Sequence, residues 1–157
     1  MNSAQASALR NLFDTQRIAA LGTLREGGPW VSMVPFALLR RPDRFVIHVS
    51  RLAAHTGNML ESDRVSLLVV APETAATSPQ ALARITIQGL AERVTPSAPG
   101  YAAAREAYLT RFPQTAQDLE LHDFSFFTIR PLSMRFIAGF AQAFTLTPEQ
   151  LANALAP

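Results

Sequence analysis

The sequence contains no cysteine and no lysine, and these two absences exclude several kinds of chemistry. Without thiolates, the chain cannot form disulfides, thiolate zinc sites or cysteine-ligated iron–sulfur clusters. Without lysine, it has neither a Walker A loop nor an amine for a Schiff base with pyridoxal phosphate. The three histidines, His48, His55 and His122, lack the paired helical spacing of a metalloprotease zinc site, so we predict no metal site.

All 14 basic residues are arginine, and with 12 acidic residues the formal net charge is only +2. The isoelectric point is nevertheless about 9.9. Only two tyrosines titrate between neutrality and the arginines, so the titration curve is nearly flat in that range. The high isoelectric point therefore does not indicate a basic surface for nucleic acid. The sequence also has no basic run with interleaved aromatic residues, and we expect no nucleic-acid partner.

Apolar residues make up 48% of the chain and charged residues 17%, which is typical of one folded domain over residues 1–157. So apolar a chain of this length has surface to spare for a subunit contact. No apolar run approaches the roughly 20 residues that a membrane helix needs. The N-terminus lacks the charged and then apolar pattern of a signal peptide. We therefore expect a cytoplasmic protein that does not bind membranes.

The spacing of apolar residues and turn residues predicts a mainly β protein. Helices are predicted at 3–14 and 100–112, with a short one in the second half of 50–63 and another from 147. Strands are predicted at 16–24, 30–39, 44–49, 64–71, 83–94 and 123–129, with one or two more between 133 and 144. So many short strands with hairpin turns favour a small antiparallel barrel with inserted helices.

Four local features refine this pattern. Ser3 is the predicted N-cap of the first helix. Pro35 cannot donate a hydrogen bond to a neighbouring strand, which predicts a bulge or an edge position. The apolar run at 64–71 predicts a strand buried on both faces. Gly89 predicts a bulge within the strand at 83–94.

The stretch from Ser50 to Leu60 is typical of a strand end, a polar turn and a helix start. A helix start carries unpaired N–H groups and a partial positive charge, which suit a phosphate. Arg51 adds a permanent cation, and we predict it to be the principal phosphate anchor, with Arg84 or Arg64 as the alternatives. Neutral hydrogen-bonding groups nearby are Ser50, Thr56 and Asn58. The alternative is a Ser or Thr N-cap beside a surface arginine.

The other polar candidates also have structural alternatives. His55 either lies beside the phosphate site or caps a helix, and His48 either binds a ligand or is a satisfied strand residue. His122 and Asp123 are either a general base with its orienting partner or a loop pair. The strand at 83–94 has a polar face that either lines a cofactor site or faces solvent beside it: Arg84, Thr86 and Gln88.

Six segments in this order resemble a known family: IAALGTL from 18, GPWVSMVPF from 28, SRLAAHTGNML from 50, DRVSLLV from 63, RITIQGLAE from 84 and FIAGFAQA from 136. The family is that of the pyridoxamine 5′-phosphate oxidase-like FMN-binding split barrels, nearest the branch of haem-utilisation proteins. The resemblance covers nearly all of residues 16–144. It implies an antiparallel split β-barrel of Greek-key type with short flanking helices, and a homodimer with two FMN at the subunit interface.

The resemblance also implies site residues. It places Ser32, Ser50 and Arg51 against the phosphate, with His55 and Asn58 beside them. The full set that we expect to contact or surround FMN is Ser32, Val34, Ser50, Arg51, His55, Thr56, Asn58, Arg84 and Gln88. Ser32 and Leu52 stand where the oxidase has an arginine and a lysine, and Arg84 stands where it has a flavin-contacting glutamine. The oxidase's substrate-binding residues near the C-terminus have no clear match, so we do not expect pyridoxamine phosphate oxidation. The haem-utilisation branch often has an extra C-terminal domain, for which we expect no counterpart here, and this expectation counts against haem degradation.

These observations lead to an FMN-binding flavoprotein, an expected oxidoreductase for an unknown small substrate. No side chain is assigned as a catalytic acid or base. One alternative is a haem-binding or haem-utilisation protein with His48, His55 or His122 as an axial ligand. Another is a non-enzymatic FMN-binding module, since fold does not determine function. A deazaflavin in place of FMN is a further alternative for the cofactor.

Overall fold

The computed structural model describes residues 1–40, 43–117, 123–139 and 141–156. The helices are α1 (Ser3–Thr15), α2 (Ala54–Glu61), α3 (Tyr101–Arg111) and α4 (Pro148–Leu155). The strands are β1 (Ile18–Arg25), β2 (Gly28–Pro35), β3 (Ala37–Leu39), β4 (Arg44–Ser50), β5 (Arg64–Val70), β6 (Arg84–Val94), β7 (Phe124–Gly139) and β8 (Gln142–Leu146). Single 3₁₀ turns lie at Pro79–Ala81 and Pro113–Thr115.

The strands form one antiparallel sheet in the order β2-β1-β5-β6-β7-β4-β3, with β8 paired to β7. Strands β2 and β3 lie at the two ends of this order and are not hydrogen-bonded to each other. The sheet curls around one shared core into a barrel, which stays open along the seam between β2 and β3. The predicted mainly β, antiparallel split barrel with short helices is confirmed.

Apolar side chains fill the inside of the barrel, and α1 and α4 close it. Phe13 of α1 packs its ring against Phe36 and Phe45, with ring centroids 6.3 and 5.5 Å apart. A second, smaller cluster forms where α3 covers the outer side of β3, β4 and part of β7. Within the described residues, no helix is long and apolar enough to span a membrane. The cytoplasmic location stays a prediction.

Arg111 fastens the end of α3 to the end of α1. Its guanidinium donates to the backbone carbonyls of Phe13 and Gln16 at 2.6 and 2.5 Å, and lies 5.6 Å from the centroid of the Phe36 ring. A cation is favourable at a helix C-terminus, where the carbonyl groups carry partial negative charge. Burial is the largest cause lowering the pKa of Arg111, and the nearby Arg17 adds to the effect.

Several local predictions are corrected. The N-cap of α1 is Asn2, not Ser3, because Asn2 and Gln5 form a reciprocal capping box. The second strand is interrupted after Pro35, so β2 and β3 are separate. The strand at 64–71 is not buried on both faces: Leu68 and Val70 are 38% and 40% exposed. The two regions predicted as separate strands from 123 to 139 form the single long strand β7.

Other predictions are confirmed. Pro35 lies in β2, which is an edge strand. The register of β6 against β7 shifts between Gln88 and Gly89, as expected of a bulge. A Cβ atom at Gly89 would lie 2.6 Å from the carbonyl oxygen of Arg130, so only glycine fits there without displacement. The turn predicted around residues 40–43 includes Arg41 and Pro42, which lie outside the described residues.

Candidate functional site

The predicted phosphate turn has the expected strand–turn–helix form, with β4 ending at Ser50 and α2 beginning at Ala54. The N-cap of α2 is Ala53, which makes no side-chain cap bond, so the alternative of a Ser or Thr cap is wrong. Thr56 is buried, and its hydroxyl donates to the carbonyl oxygen of Ser50 at 2.6 Å. The Thr56 hydroxyl thus uses its hydrogen to stabilise the turn between β4 and α2.

A carboxylate lies at this turn. The hydroxyl of Ser50 donates to the carboxylate of Asp123 at 3.1 Å and accepts from the N–H of Leu52 at 3.1 Å. The N–H of Arg51 donates to the backbone carbonyl of Asp123 at 2.6 Å. The Arg51 residue is exposed, so its guanidinium is accessible. Because like charges repel, the carboxylate of Asp123 opposes a phosphate placed at the Ser50 hydroxyl.

Two further predicted residues belong to α2. Asn58 is buried, and its amide donates to the hydroxyl of Thr23 in β1 at 2.9 Å, which ties α2 to the barrel. His55 is half-buried in the first turn of the helix. Burial lowers the pKa of His55 because it removes water from the charged form.

The remaining predicted residues are spread over two strands. In β2, Ser32 is half-buried and Val34 packs in the core. In β6, the guanidinium of Arg84 donates to the carbonyls of Gln80 and Leu82 and so holds the preceding loop. Gln88 lies further along β6, in a groove on the outside of the barrel. The structure therefore does not gather all nine predicted residues around one cavity, and their cofactor roles stay predictions.

The groove containing Gln88 has a volume of about 610 Å³ and lies against β1, β2, β5, β6 and the bulge in β7. Most of its wall is apolar, and its charged side chain is Arg64. Its lining residues are Gly22, Thr23, Leu24, Pro29, Trp30, Val31, Arg64, Val65, Ser66, Gln88, Gly89, Leu90 and Leu132.

The floor of the groove consists of residues paired across three strands. Gly22 lies opposite Ser66, and Ser66 lies opposite Gln88. A Cβ atom at position 22 would lie 2.7 Å from the Ser66 hydroxyl, so glycine leaves room for that hydroxyl. The side-chain oxygen of Gln88 accepts from the Ser133 hydroxyl at 2.9 Å. The Gln88 amide NH₂ thus remains a donor beside the groove.

The groove is part of a larger surface, which we call the outer face. It comprises the outward positions 18, 20, 22 and 24 of β1, 29, 31, 33 and 35 of β2, 64, 66, 68 and 70 of β5, 84, 86, 88 and 90 of β6, and 130, 133, 135 and 137 of β7. Several apolar side chains are exposed there; Val31 is 70% and Met33 62% exposed. These positions hold four arginines and no acidic residue, and Glu92, the next outward residue of β6, is paired with Arg44 at 2.7 Å. The outer face is thus both apolar and positively charged.

Sequence reasoning considered Arg64 only as an alternative phosphate site, and it did not place Arg64, Arg130 and Arg135 on one surface. The available indication was the alternation in 64–70, where Arg64 and Ser66 share one side of the strand with Leu68. That side was predicted to be buried because the run is apolar. Pairing of β5 with β6 and of β6 with β7, which brings these arginines onto one face, could not be read from a single segment.

The described histidines lie apart from the groove lining. His48 of β4 packs among the rings of Tyr108, Phe124 and Phe126, with ring centroids 5.7, 5.1 and 4.5 Å away. His122, with its proposed partnership to Asp123, lies outside the described residues. Within the described ranges, no group of three or more His, Cys, Asp or Glu residues could hold a metal ion.

Comparison with known proteins identifies the family. The sequence profile described as pyridoxamine 5′-phosphate oxidase matches residues 6–138. The chain therefore belongs to the pyridoxamine 5′-phosphate oxidase family, as the resemblance of its ordered segments predicted.

Two of its relatives are named as haem oxygenases. The chain is 37% identical over 119 residues to the Arabidopsis thaliana protein named "Non-canonical heme oxygenase HOZ, chloroplastic". This match covers 76% of this chain and 35% of the plant protein. It is 26% identical over 129 residues to heme oxygenase HutZ of Vibrio cholerae, covering 82% of this chain and 72% of HutZ.

A solved structure described as a heme binding protein from Mycobacterium smegmatis superposes with a TM-score of 0.82 at 32% identity. The match covers 98% of this chain and 61% of that protein. The chain thus spans about a third of the plant relative and about three fifths of the mycobacterial one.

The lowered pKa of His55 predicts how stability depends on pH. Its folded-state pKa lies below the ordinary histidine value of 6.5, so the unfolded chain binds the proton more readily. The stabilisation is therefore present above pH 6.5 and is lost as pH falls through the folded-state pKa. Urea unfolding at a series of pH values should show a smaller loss of stability on acidification in His55→Gln than in the wild type. Identical pH dependence in the two proteins would contradict this assignment.

Proposed function

We propose that the protein binds haem at the outer face of its barrel and acts in haem utilisation. The observation that carries this proposal is the character of that face, where exposed apolar residues and four arginines occur without any acidic residue. Haem has the complementary character, since it is a flat apolar ring with two carboxylates. The names of HOZ, HutZ and the mycobacterial relative support the same ligand.

The residues of the groove fit such a ligand. Its volume of about 610 Å³ lies within the range of about 300–1,000 Å³ that is typical of small-molecule sites. Trp30 and Leu90 offer apolar surface to a flat ring, and aromatic side chains favour stacked or edge-on contacts with such rings. Arg64 offers a guanidinium whose fork geometry suits a carboxylate.

Bound haem would supply the redox chemistry of its iron. The chain's own residues would bind the ring, orient it through its carboxylates and exclude water from one side of it. Oxidative haem breakdown is the activity that the two named oxygenases suggest, with haem then as the substrate. The chain matches only part of the length of these proteins, so their whole activity does not carry over directly. Haem binding and haem breakdown by this chain are therefore both proposals.

We also propose a homodimer formed through the outer face. Exposed Val31, Met33 and Leu68 lie on this face, which is a pattern typical of a subunit contact. In a two-fold dimer the same face of each copy meets the other, so arginines from both copies would come together. The positions that define the outer face offer no carboxylate, and the neighbouring Glu92 is already paired with Arg44, so an anionic ligand between the subunits would compensate the charge of these arginines.

FMN is the second candidate, favoured by the family and by the exposed Arg51 beside the start of α2. FMN is likewise flat and anionic, and its phosphate suits an arginine. In this alternative the protein would be a flavin-dependent oxidoreductase acting on a small molecule. The carboxylate of Asp123 at the same turn makes this the weaker fit.

Titration distinguishes the two cofactors. The purified protein should bind hemin with a shifted Soret band and a dissociation constant in the micromolar range or below. FMN, followed by quenching of its fluorescence under the same conditions, should bind at least about tenfold more weakly, a difference of about 1.4 kcal/mol. Tight FMN binding with no specific hemin binding would overturn the proposal in favour of the flavoprotein.

The dimer has its own test. Light scattering at micromolar concentration should give twice the mass of the chain. Met33→Arg adds a further cation at an exposed position of the outer face, so it should shift the protein toward monomer while leaving its circular dichroism unchanged. Ala103→Arg, at an exposed position of α3, is the matched control and should remain dimeric. A monomeric wild type, or a dimeric Met33→Arg variant, would reject this interface.

A further inference from the structure

The groove offers a ligand many contacts but no metal ligand. Its 13 lining residues, all within the described part of the chain, include no histidine, cysteine, methionine, tyrosine or carboxylate. These are the side chains that ligate haem iron or other metal ions in proteins. His48 contacts aromatic rings at the side of the barrel that α3 covers. The groove itself therefore recognises the organic part of a ligand.

The polar groups of the groove suit carboxylates. Arg64 and Ser66 are two residues apart on the same side of β5, which separates them by about 7 Å along the strand. Gln88 lies opposite Ser66 on β6, and its side-chain oxygen is already occupied by Ser133. What these side chains offer is thus mainly N–H and O–H donors, and a carboxylate accepts from such groups.

Arg130 of β7 provides a second cation in the row of paired residues that contains Arg64. Leu90 lies opposite Arg64 on one side and opposite Arg130 on the other. The spacing of neighbouring strands places the backbones of the two arginines roughly 10 Å apart, with the apolar side chain of Leu90 between them. Two cations flanking an apolar surface match a flat ring with two carboxylates on one edge.

We propose that the groove recognises a tetrapyrrole by its two carboxylates and its apolar ring, with Arg64 as the main carboxylate anchor. The inference rests on the proposed haem function and adds to it. Because the contacts go to the ring and the carboxylates, the groove accepts the iron-free porphyrin as well as haem. Iron contributes little to the affinity of this site.

The test compares three ligands by titration: hemin, protoporphyrin IX, and the dimethyl ester of protoporphyrin IX, whose carboxylates are blocked. Hemin is followed by absorbance and the porphyrins by fluorescence, with all three kept monomeric in mild detergent. Protoporphyrin IX should bind within about threefold of hemin. The ester should bind at least about tenfold more weakly, because its blocked carboxylates cannot form charge-assisted hydrogen bonds.

Variants assign the effect to the groove. Arg64→Ala should weaken hemin and protoporphyrin IX by the same factor, about 10- to 100-fold, and should not affect the ester. Arg64→Lys should recover part of the loss, because it restores the charge without the fork. Arg105→Ala, at an exposed position of α3, is the matched control and should bind like the wild type. Circular dichroism verifies that Arg64→Ala, a change at an exposed residue, remains folded.

The outcomes separate this inference from the proposed function. Hemin binding that is at least about 30-fold tighter than protoporphyrin IX binding, roughly 2 kcal/mol, would mean that an iron ligand dominates, which overturns the inference and leaves haem binding intact. Unchanged binding in Arg64→Ala would also overturn it. Failure of all three ligands to bind would reject the proposed function together with this inference.

Discussion

The antiparallel pairing of β1, β5, β6 and β7 is the constraint on which the rest of the structure depends. Because side chains alternate along a strand, this pairing sends one set inward to the core and the other outward. Leu21, Leu67 and Ile87 are fully buried on the inside, while Gly22, Ser66 and Gln88 form a row across the outside. A slip of one residue would exchange the two sets, so the large core also holds the groove in register.

Helix α3 covers one part of the outside of the barrel and leaves another part exposed. The covered part serves packing, and the exposed part is the candidate binding surface. Over β3, β4 and part of β7, Tyr108 of α3 packs in a buried cluster with Phe126 of β7, and His48 lies against the Phe126 ring. On the outer face, formed by β1, β2, β5, β6 and the rest of β7, exposed Val31 and Met33 share the surface with four arginines and no carboxylate. A surface that needs both apolar contact and negative charge is well suited to a flat anionic cofactor held between two subunits.

The fold could be read from the sequence more fully than the site. Alternation and turn residues located the strands, and ordered segments identified the family. Which polar groups are free to bind a ligand, however, depends on hydrogen-bond partners that are distant in sequence. Asn58 looked available for phosphate, yet its amide is bonded to Thr23, 35 positions earlier. Ser50 likewise is bonded to Asp123. Arg64 was considered only as an alternative phosphate site, because the apolar run around it predicted a strand buried on both faces. Its place in the groove follows from strand pairing.

Covalent footprinting of the side chains, with and without hemin, tests most directly whether haem binds at the outer face. A photoactivated carbene labels accessible side chains, and mass spectrometry locates the label. The account predicts that hemin lowers labelling in β2, β5 and the bulge around Leu132, while labelling of α3 and of the turn around Arg51 stays unchanged. Protection confined to the turn at Arg51 and α2, with unaltered labelling of the outer face, would contradict it.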